Sequence, residues 1–357
     1  MKSRVYFIAV SEDESSGVIE DKLLRLLQVS RIADCIGRKE SVAVKMHFGE
    51  EGNTGYVHPE YLRIICDAIK ERGARPFLSD TNTLYRGRRV NSKEHLKLAH
   101  EHGFTKGAIG TQVIIPDETK KENVAELEIN QKFIKTAKVL KIFTEADAIV
   151  GVAHFKGHIM TGFGGALKNL GMGCAAREGK LAQHSDISPV VILKNCTGCN
   201  ACVGACPVKA ISLIDKKSNI DSAKCIGCAS CIAACNFSAI EVNWAAGGET
   251  IQEKMIEYAG AILSGKGKKS VFVNFALKIT KECDCLAKDD PRISPDVGIL
   301  VSADPVSIDK ASLDLVIEAC ARDIFKEAHP ERDGNKQLHY AQALGLGRLE
   351  YELITVE

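Results

Sequence analysis

The sequence predicts an α/β protein in which one discontinuous α/β domain carries a small α+β unit set into its middle. Two observations carry this. Apolar strand-like runs alternate with amphipathic helix-like stretches near both ends of the chain, and eight of the fourteen cysteines crowd into residues 196–235, where that alternation stops. The implied boundaries are 1–188 for the first part of the α/β domain, 189–245 for the insert and 246–357 for the second part. Three domains in series are the alternative arrangement.

Taken in order, RVYFIAV, SVAVKMHF, RPFLSD, VIIPD and DAIVGVAHF read as strands before the cysteine-rich stretch. The segments VIEDKLLRLLQVSRIADCI, HPEYLRIICDAIKERG and NSKEHLKLAHEHG read as the helices between them. The second of these starts at Pro59, where a missing N–H costs nothing, and stops at Gly73. Its Ile64, Ile65, Ala68 and Ile69 form one apolar stripe, which makes Cys66 a packing residue, as Cys35 is in the helix before it. After the cysteine-rich stretch come a helix around EKMIEYAGAIL, the strands SVFVNFALKI and VGILVSA, and a helix that Asp304 caps and Pro305 opens. Cys320 lies in that last helix among Leu315, Val316 and Ile317 and reads as core.

The cysteines form two identical runs of the form C-x2-C-x2-C-x3-C: Cys196, Cys199, Cys202 and Cys206, then Cys225, Cys228, Cys231 and Cys235. A shift of twenty-nine residues superposes them and also aligns CPVKAISL with CNFSAIEV, so the segment is an internal duplication. This spacing lets three thiolates reach one [4Fe-4S] cubane while the fourth reaches a second. Cys196, Cys199, Cys202 and Cys235 then hold one cluster, and Cys225, Cys228, Cys231 and Cys206 the other. Val208 and Ile211, with their counterparts Phe237 and Ile240, are expected to keep water away. Zinc sites close one tetrahedron from two pairs of ligands, which leaves surplus sulfur here. Disulfides need an oxidising compartment, and the short apolar run VYFIAV is no export signal. The segment resembles the bacterial two-cluster ferredoxins, with Asn236 where the first run has Pro207.

The second concentration of chemistry is the stretch from His154 to His184, where His154, His158, Lys168, Cys174 and His184 accompany seven glycines. Gly162, Gly164 and Gly165 let backbone approach a ligand and open a helix whose free N–H groups attract anions. The G-x-G-x-x-G fingerprint fails because Leu167 stands at its third glycine. GAILSGKG, at 260–267, is likewise no phosphate-binding loop, since Gly267 replaces the hydroxyl residue. A run that leaves a strand end with these side chains is read as a ligand site at the carboxyl edge of the sheet.

The segments VAVKMHFGE, HFKGHIMTGFGGALKNLGMG, ECDC and GILVSADPVSIDKA resemble the family known as domain of unknown function 362, over nearly the whole chain. That resemblance implies an iron-sulfur protein of anaerobic metabolism. His158, Gly162, Phe163, Gly165, Lys168 and His184 are also similar to a segment of the nickel-pincer lactate racemases. This second resemblance implies His158 as acid or base, Lys168 as cofactor anchor and His184 as metal ligand. It also sets Asp80 and Arg86 beside the racemases' polar substrate loop, with His47 as the candidate for their second proton-transferring histidine.

Cys283 and Cys285 remain once the eight cubane ligands are assigned. Thiolates two apart lie on one side of an extended chain, so the two are read as a reactive pair or as ligands of an additional metal completed by histidine or Cys174. A disulfide between them is the less favoured arrangement, and a turn with two unligated thiols is the plain alternative. At 357 residues, 45% hydrophobic and 26% charged, the chain can bury a substantial core, and its net charge of +1 gives no reason to expect nucleic acid. No apolar run reaches the length of a membrane span. The reading is thus a cytoplasmic iron-sulfur oxidoreductase component that works with a redox partner protein and a small-molecule ligand. A pure electron carrier and a metal or iron-sulfur assembly protein are the alternatives.

Overall fold

The computed structural model describes residues 2–85, 87–184, 189–225, 227, 229–242 and 250–357. Arg86 and Cys228, both named above, lie outside the described residues. Eight strands form the main sheet: β1 (Ser3–Ala9), β2 (Ser41–Lys45), β3 (Arg75–Ser79), β4 (Gln112–Ile114), β5 (Ala148–His154), β6 (Ser270–Ala276), β7 (Gly298–Ser302) and β8 (Tyr351–Thr355). Their order is β8-β1-β7-β6-β5-β2-β3-β4. Only β7 runs antiparallel to its neighbours. Every residue of β5, β6 and β7 is buried, as expected of strands covered on both faces.

Alternate side chains of these strands feed two cores. Ile149 and Phe272 point to one, shared with Leu167, Met255, Ile308 and Val316. Val150, Val152, Val271 and Val273 point to the other, shared with Leu23, Leu26, Leu62 and Ile65. Helix Pro59–Glu71 buries Leu62, Ile65, Cys66 and Ile69, so the stripe sits slightly round from the expected one, with Ile64 and Ala68 at its edge. Helix Pro305–Cys320 opens as anticipated, the Asp304 carboxylate accepting from the N–H groups of Val306 and Ser307 at 2.9 Å each. The strand β8 carries no apolar run in sequence: its five residues are either partly covered or exposed.

The chain steps from β2 outward through β3 to β4, then returns to the far side of β2 as β5 and continues to β6. The loops leaving β2 and β5 therefore diverge, and a crevice opens between them at the carboxyl edge. No helix among the described residues is long and apolar enough to cross a membrane.

The cysteine-rich segment forms its own short elements. Its ends pair with one another, Val190 opposite Glu241 and Val191 opposite Ile240, and a hairpin joins Ile211–Ile214 to Lys217–Ile220. The duplication reaches the backbone. Helix Ala201–Ala205 matches Ser230–Ala234, and left-handed residues recur at the same shift: Gly198 with Gly227, Asn200 with Ala229, Lys209 with Ser238. Ile211 and Ile240 are buried as expected, but Val208 and Phe237 are 37% and 47% exposed, so they shield less than their spacing suggested.

Candidate functional site

At the crevice lies a cavity of about 480 Å³. Its floor is an ion network that the strand ends bring together. Lys45, the last residue of β2, reaches Asp80 just past β3 at 3.0 Å, and Arg89 and His95 approach the same carboxylate at 3.8 and 3.7 Å. Arg89 also pairs with Glu50 at 3.2 Å, and Lys180 binds Thr81 Oγ1 and the Asn82 carbonyl. Burial works against the charge of Asp80, but Lys45, His95 and Arg89 outweigh it and hold the carboxyl below its ordinary range. Asp80, which the racemase resemblance set in a ligand-binding loop, is thus already neutralised by the protein's own cations. Lys45, Arg89 and Lys180 carried no functional reading from sequence, although a lysine inside the apolar run VAVKMHF was a signal.

His158, Lys168 and His184 line the same cavity. His158 accepts the Met160 N–H on Nδ1 at 3.1 Å, so the neutral ring carries its proton on Nε2. Burial, reinforced by Lys168 and His184, keeps its pKa well below the ordinary value, and burial takes that of His184 to about 3. Lys168 has no carboxylate within ion-pair distance among the described residues, and burial together with Lys156 lowers its pKa to about 7. A base whose folded pKa is depressed favours folding only once deprotonated, so stability is gained as pH rises from about 7 toward the unfolded value. Lys168→Met should therefore raise the melting temperature at pH 6, and the gain should shrink by pH 10, as thermal scans at the two pH values will show.

Several sequence expectations require correction. Gly164 and Gly165 border the cavity, but Gly162, at φ +76°, turns the hairpin Lys156–His158/Gly162–Gly164 against Gly334, away from it. Helix Ala166–Gly171 does begin after the glycines, yet its first N–H groups are taken by the Asp309 carboxylate, which accepts from Ala166 at 2.7 Å and Leu167 at 2.9 Å. That helix end is closed to a ligand anion. Cys174 lies in the apolar core with its thiol pushed up to about 12 by burial, and it supplies no ligand. His47 lines the cavity, but both ring nitrogens face donors, Gly49 N–H at 3.0 Å and the Arg89 guanidinium at 2.7 Å, and burial and Arg89 hold its pKa well down. Gly157 is packed so tightly that a Cβ there would lie 2.2 Å from the Lys281 carbonyl oxygen. Gly157→Ala should cost roughly 1–3 kcal/mol in denaturant melts, by forcing this hairpin off the cavity wall.

The Cys-Asp-Cys segment closes another side. Cys283 and Cys285 are joined as a disulfide, with Cα atoms 5.3 Å apart, where free thiols or metal ligands were expected. The turn brings the Cα atoms within the ordinary span of a disulfide, and neither sulfur is left as a thiolate donor. Asp284 between them is buried, bonded to His154 Nδ1 at 2.8 Å and to Lys156 at 3.2 Å. Burial alone would raise its pKa, yet these two partners hold it well below the carboxylate range.

Seven of the eight clustered cysteines, all but Cys228, which lies outside the described residues, border two small hollows in the cysteine-rich segment. Cys196, Cys199, Cys202 and Cys235 line one, and Cys206, Cys225 and Cys231 line the other. Backbone N–H groups point at the sulfurs in duplicated fashion: Ala210 to Cys206 and Ala239 to Cys235, each at 3.2 Å. Among the described residues no three His, Cys, Asp or Glu side chains gather as one metal ion requires. The segment and the cavity share a wall: Leu84 and Tyr85 line the cavity and also pack in the apolar cluster that holds Cys196, Cys202, Cys231 and Cys235.

Residues 42–314 match the family described as "Domain of unknown function (DUF362)". No curated protein matches the chain. Among solved structures it is similar to the lactate racemase apoprotein from Thermoanaerobacterium thermosaccharolyticum, at 15% identity and a TM-score of 0.42, over 76% of this chain and 50% of that one. A protein from Thermotoga maritima is similar at 15% identity and a TM-score of 0.40, over 87% of this chain and 60% of that one. The chain therefore spans about half to three fifths of the length of these solved chains.

Proposed function

The chain belongs to this family of unknown function, and from that premise we propose that it is an iron-sulfur oxidoreductase component: a ferredoxin-like insert serves a ligand held in the basic cavity. The observation that carries the reading is the crossed lining of the two hollows, in which Cys235 joins Cys196, Cys199 and Cys202, and Cys206 joins Cys225 and Cys231. All-thiol donor sets with N–H groups aimed at sulfur suit [4Fe-4S] clusters, which exchange single electrons when bound. Cys196, Cys199, Cys202 and Cys235 would hold one, and Cys206, Cys225, Cys228 and Cys231 the other.

The protein's own residues define the ligand. Lys168 offers a nitrogen that no carboxylate among the described residues pairs, and neutral His158 offers an N–H, while Leu84, Ile159, Met172 and Leu286 make much of the remaining wall apolar. An organic ligand with one anionic group satisfies both. A pure carrier has no use for such a cavity beside its cysteine-rich segment, and the shared wall at Leu84 and Tyr85 favours an enzyme component. A redox partner protein completes the proposal.

The test is iron and acid-labile sulfide measured on protein purified without oxygen. About eight of each per chain is expected from two cubanes. About four, or none, would overturn the two-cluster reading.

A further inference from the structure

We propose that Cys283, Cys285 and His154 form a thiol–disulfide exchange site on the cavity wall, with an external dithiol as its redox partner. This goes beyond the iron-sulfur reading and does not depend on it.

Three observations carry it. The bond closes a loop of only three residues, so it restricts the unfolded chain little and contributes little as a staple. The two sulfurs are inequivalent: Cys283 is 5% exposed, while Cys285 is only partly covered, next to exposed Leu286 at the rim. The residue between them engages a histidine. Asp284 accepts the Nδ1–H of His154, so the neutral ring presents Nε2 as a bare acceptor, and that atom is buried with no hydrogen-bond partner. His154 and both cysteines line the same cavity. A base aligned by a carboxylate beside a sulfur pair is the arrangement that activates thiols.

The chemistry balances as an exchange. A thiolate of the dithiol attacks the accessible Cys285 sulfur; the protein S–S bond breaks, and Cys283 leaves as thiolate, toward which the Cys285 N–H already points at 3.4 Å. The second thiol of the donor, losing its proton to His154 Nε2, attacks the mixed disulfide and displaces Cys285. Two protons end on Cys283 and Cys285, and the donor leaves as a disulfide. Two electrons have moved to the protein pair. The reverse sequence reoxidises it.

The test equilibrates the full chain with dithiothreitol buffers of varied oxidised-to-reduced ratio, alkylates it and maps the peptide holding residues 283–285 by mass spectrometry. The expected result is a reversible transition in which both cysteines label together, with a tenfold change in the ratio of oxidised to reduced pair per 29.6 mV. His154→Asn should slow exchange about tenfold at pH 7 and flatten its pH profile, while the iron content stays as in the parent. A Cys283→Ser/Cys285→Ser variant, checked for an unchanged melting curve, should lose the transition. Two results overturn the proposal: cysteines that label freely after mild oxidation, or a bond that opens only when the protein is denatured. Because iron is counted separately, an iron-free chain that still shows the transition sinks the cluster reading and leaves this one standing.

Discussion

Asp80→Ala is expected to destabilise the protein by roughly 3–5 kcal/mol, because it strands buried cations instead of merely deleting a contact. Asp80 is buried and faces Lys45, Arg89 and His95, of which Lys45 is itself only 1% exposed. Removing the carboxylate leaves the Lys45 ammonium with only neutral acceptors, the Met46 carbonyl and Asn169. Denaturant melts at pH 7 measure the loss. The pH dependence has a definite sign: a carboxyl whose folded pKa is depressed contributes above its unfolded pKa of about 3.9, and that contribution fades as pH falls through the lower folded value. The gap between wild type and variant should therefore stay constant from pH 7 to about 5 and close only in more acid solution. Adding Lys45→Met to Asp80→Ala should recover part of the loss, since the two residues share one interaction. A single variant as stable as wild type would show that water reaches Lys45 and that the floor of the cavity is not dry.

Cys206→Ser should cut the iron of anaerobically purified protein by about half, from roughly eight to four atoms per chain. The informative point is which cysteines lose protection. Cys206 belongs by sequence to the first run, but it borders the hollow of Cys225 and Cys231. Alkylation should therefore open at Cys225, Cys228 and Cys231 and leave Cys196, Cys199 and Cys202 covered. Cys235→Ser should give the mirror pattern, because Cys235 borders the first hollow. Labelling that follows the runs as they stand in sequence would sink the crossed arrangement, even if the total iron fell as expected.

Much of this site is legible in the sequence, and the parts that are not share a cause. Spacing of two and three residues between cysteines, and a repeat at a fixed shift, are properties of neighbouring residues; the backbone repeats them in its helices and left-handed turns. The strand and helix alternation is equally local, since buried strands must be continuously apolar and capped helices must start at residues such as Asp304 or before Pro59. Gly164 and Gly165, near His158 in the chain, also fall in the stretch that borders the cavity.

What the sequence alone determined, then, was the class of fold, the duplicated thiol set and the stretch that forms one wall of the cavity. The tertiary structure decided which side chains meet. Lys45 and Asp80 meet because β2 and β3 pair in parallel with Lys45 opposite Ser79, and Lys180 reaches Thr81 beside them from a helix far along the chain. Asp309 closes the helix end that the glycines alone would leave open to a ligand, from more than a hundred residues away. His154 orients on Asp284 across a comparable distance. Periodicity reports which face of an element is apolar, but the order of strands in a sheet sets which ends adjoin, and burial then turns those meetings into shifted charges and paired sulfurs.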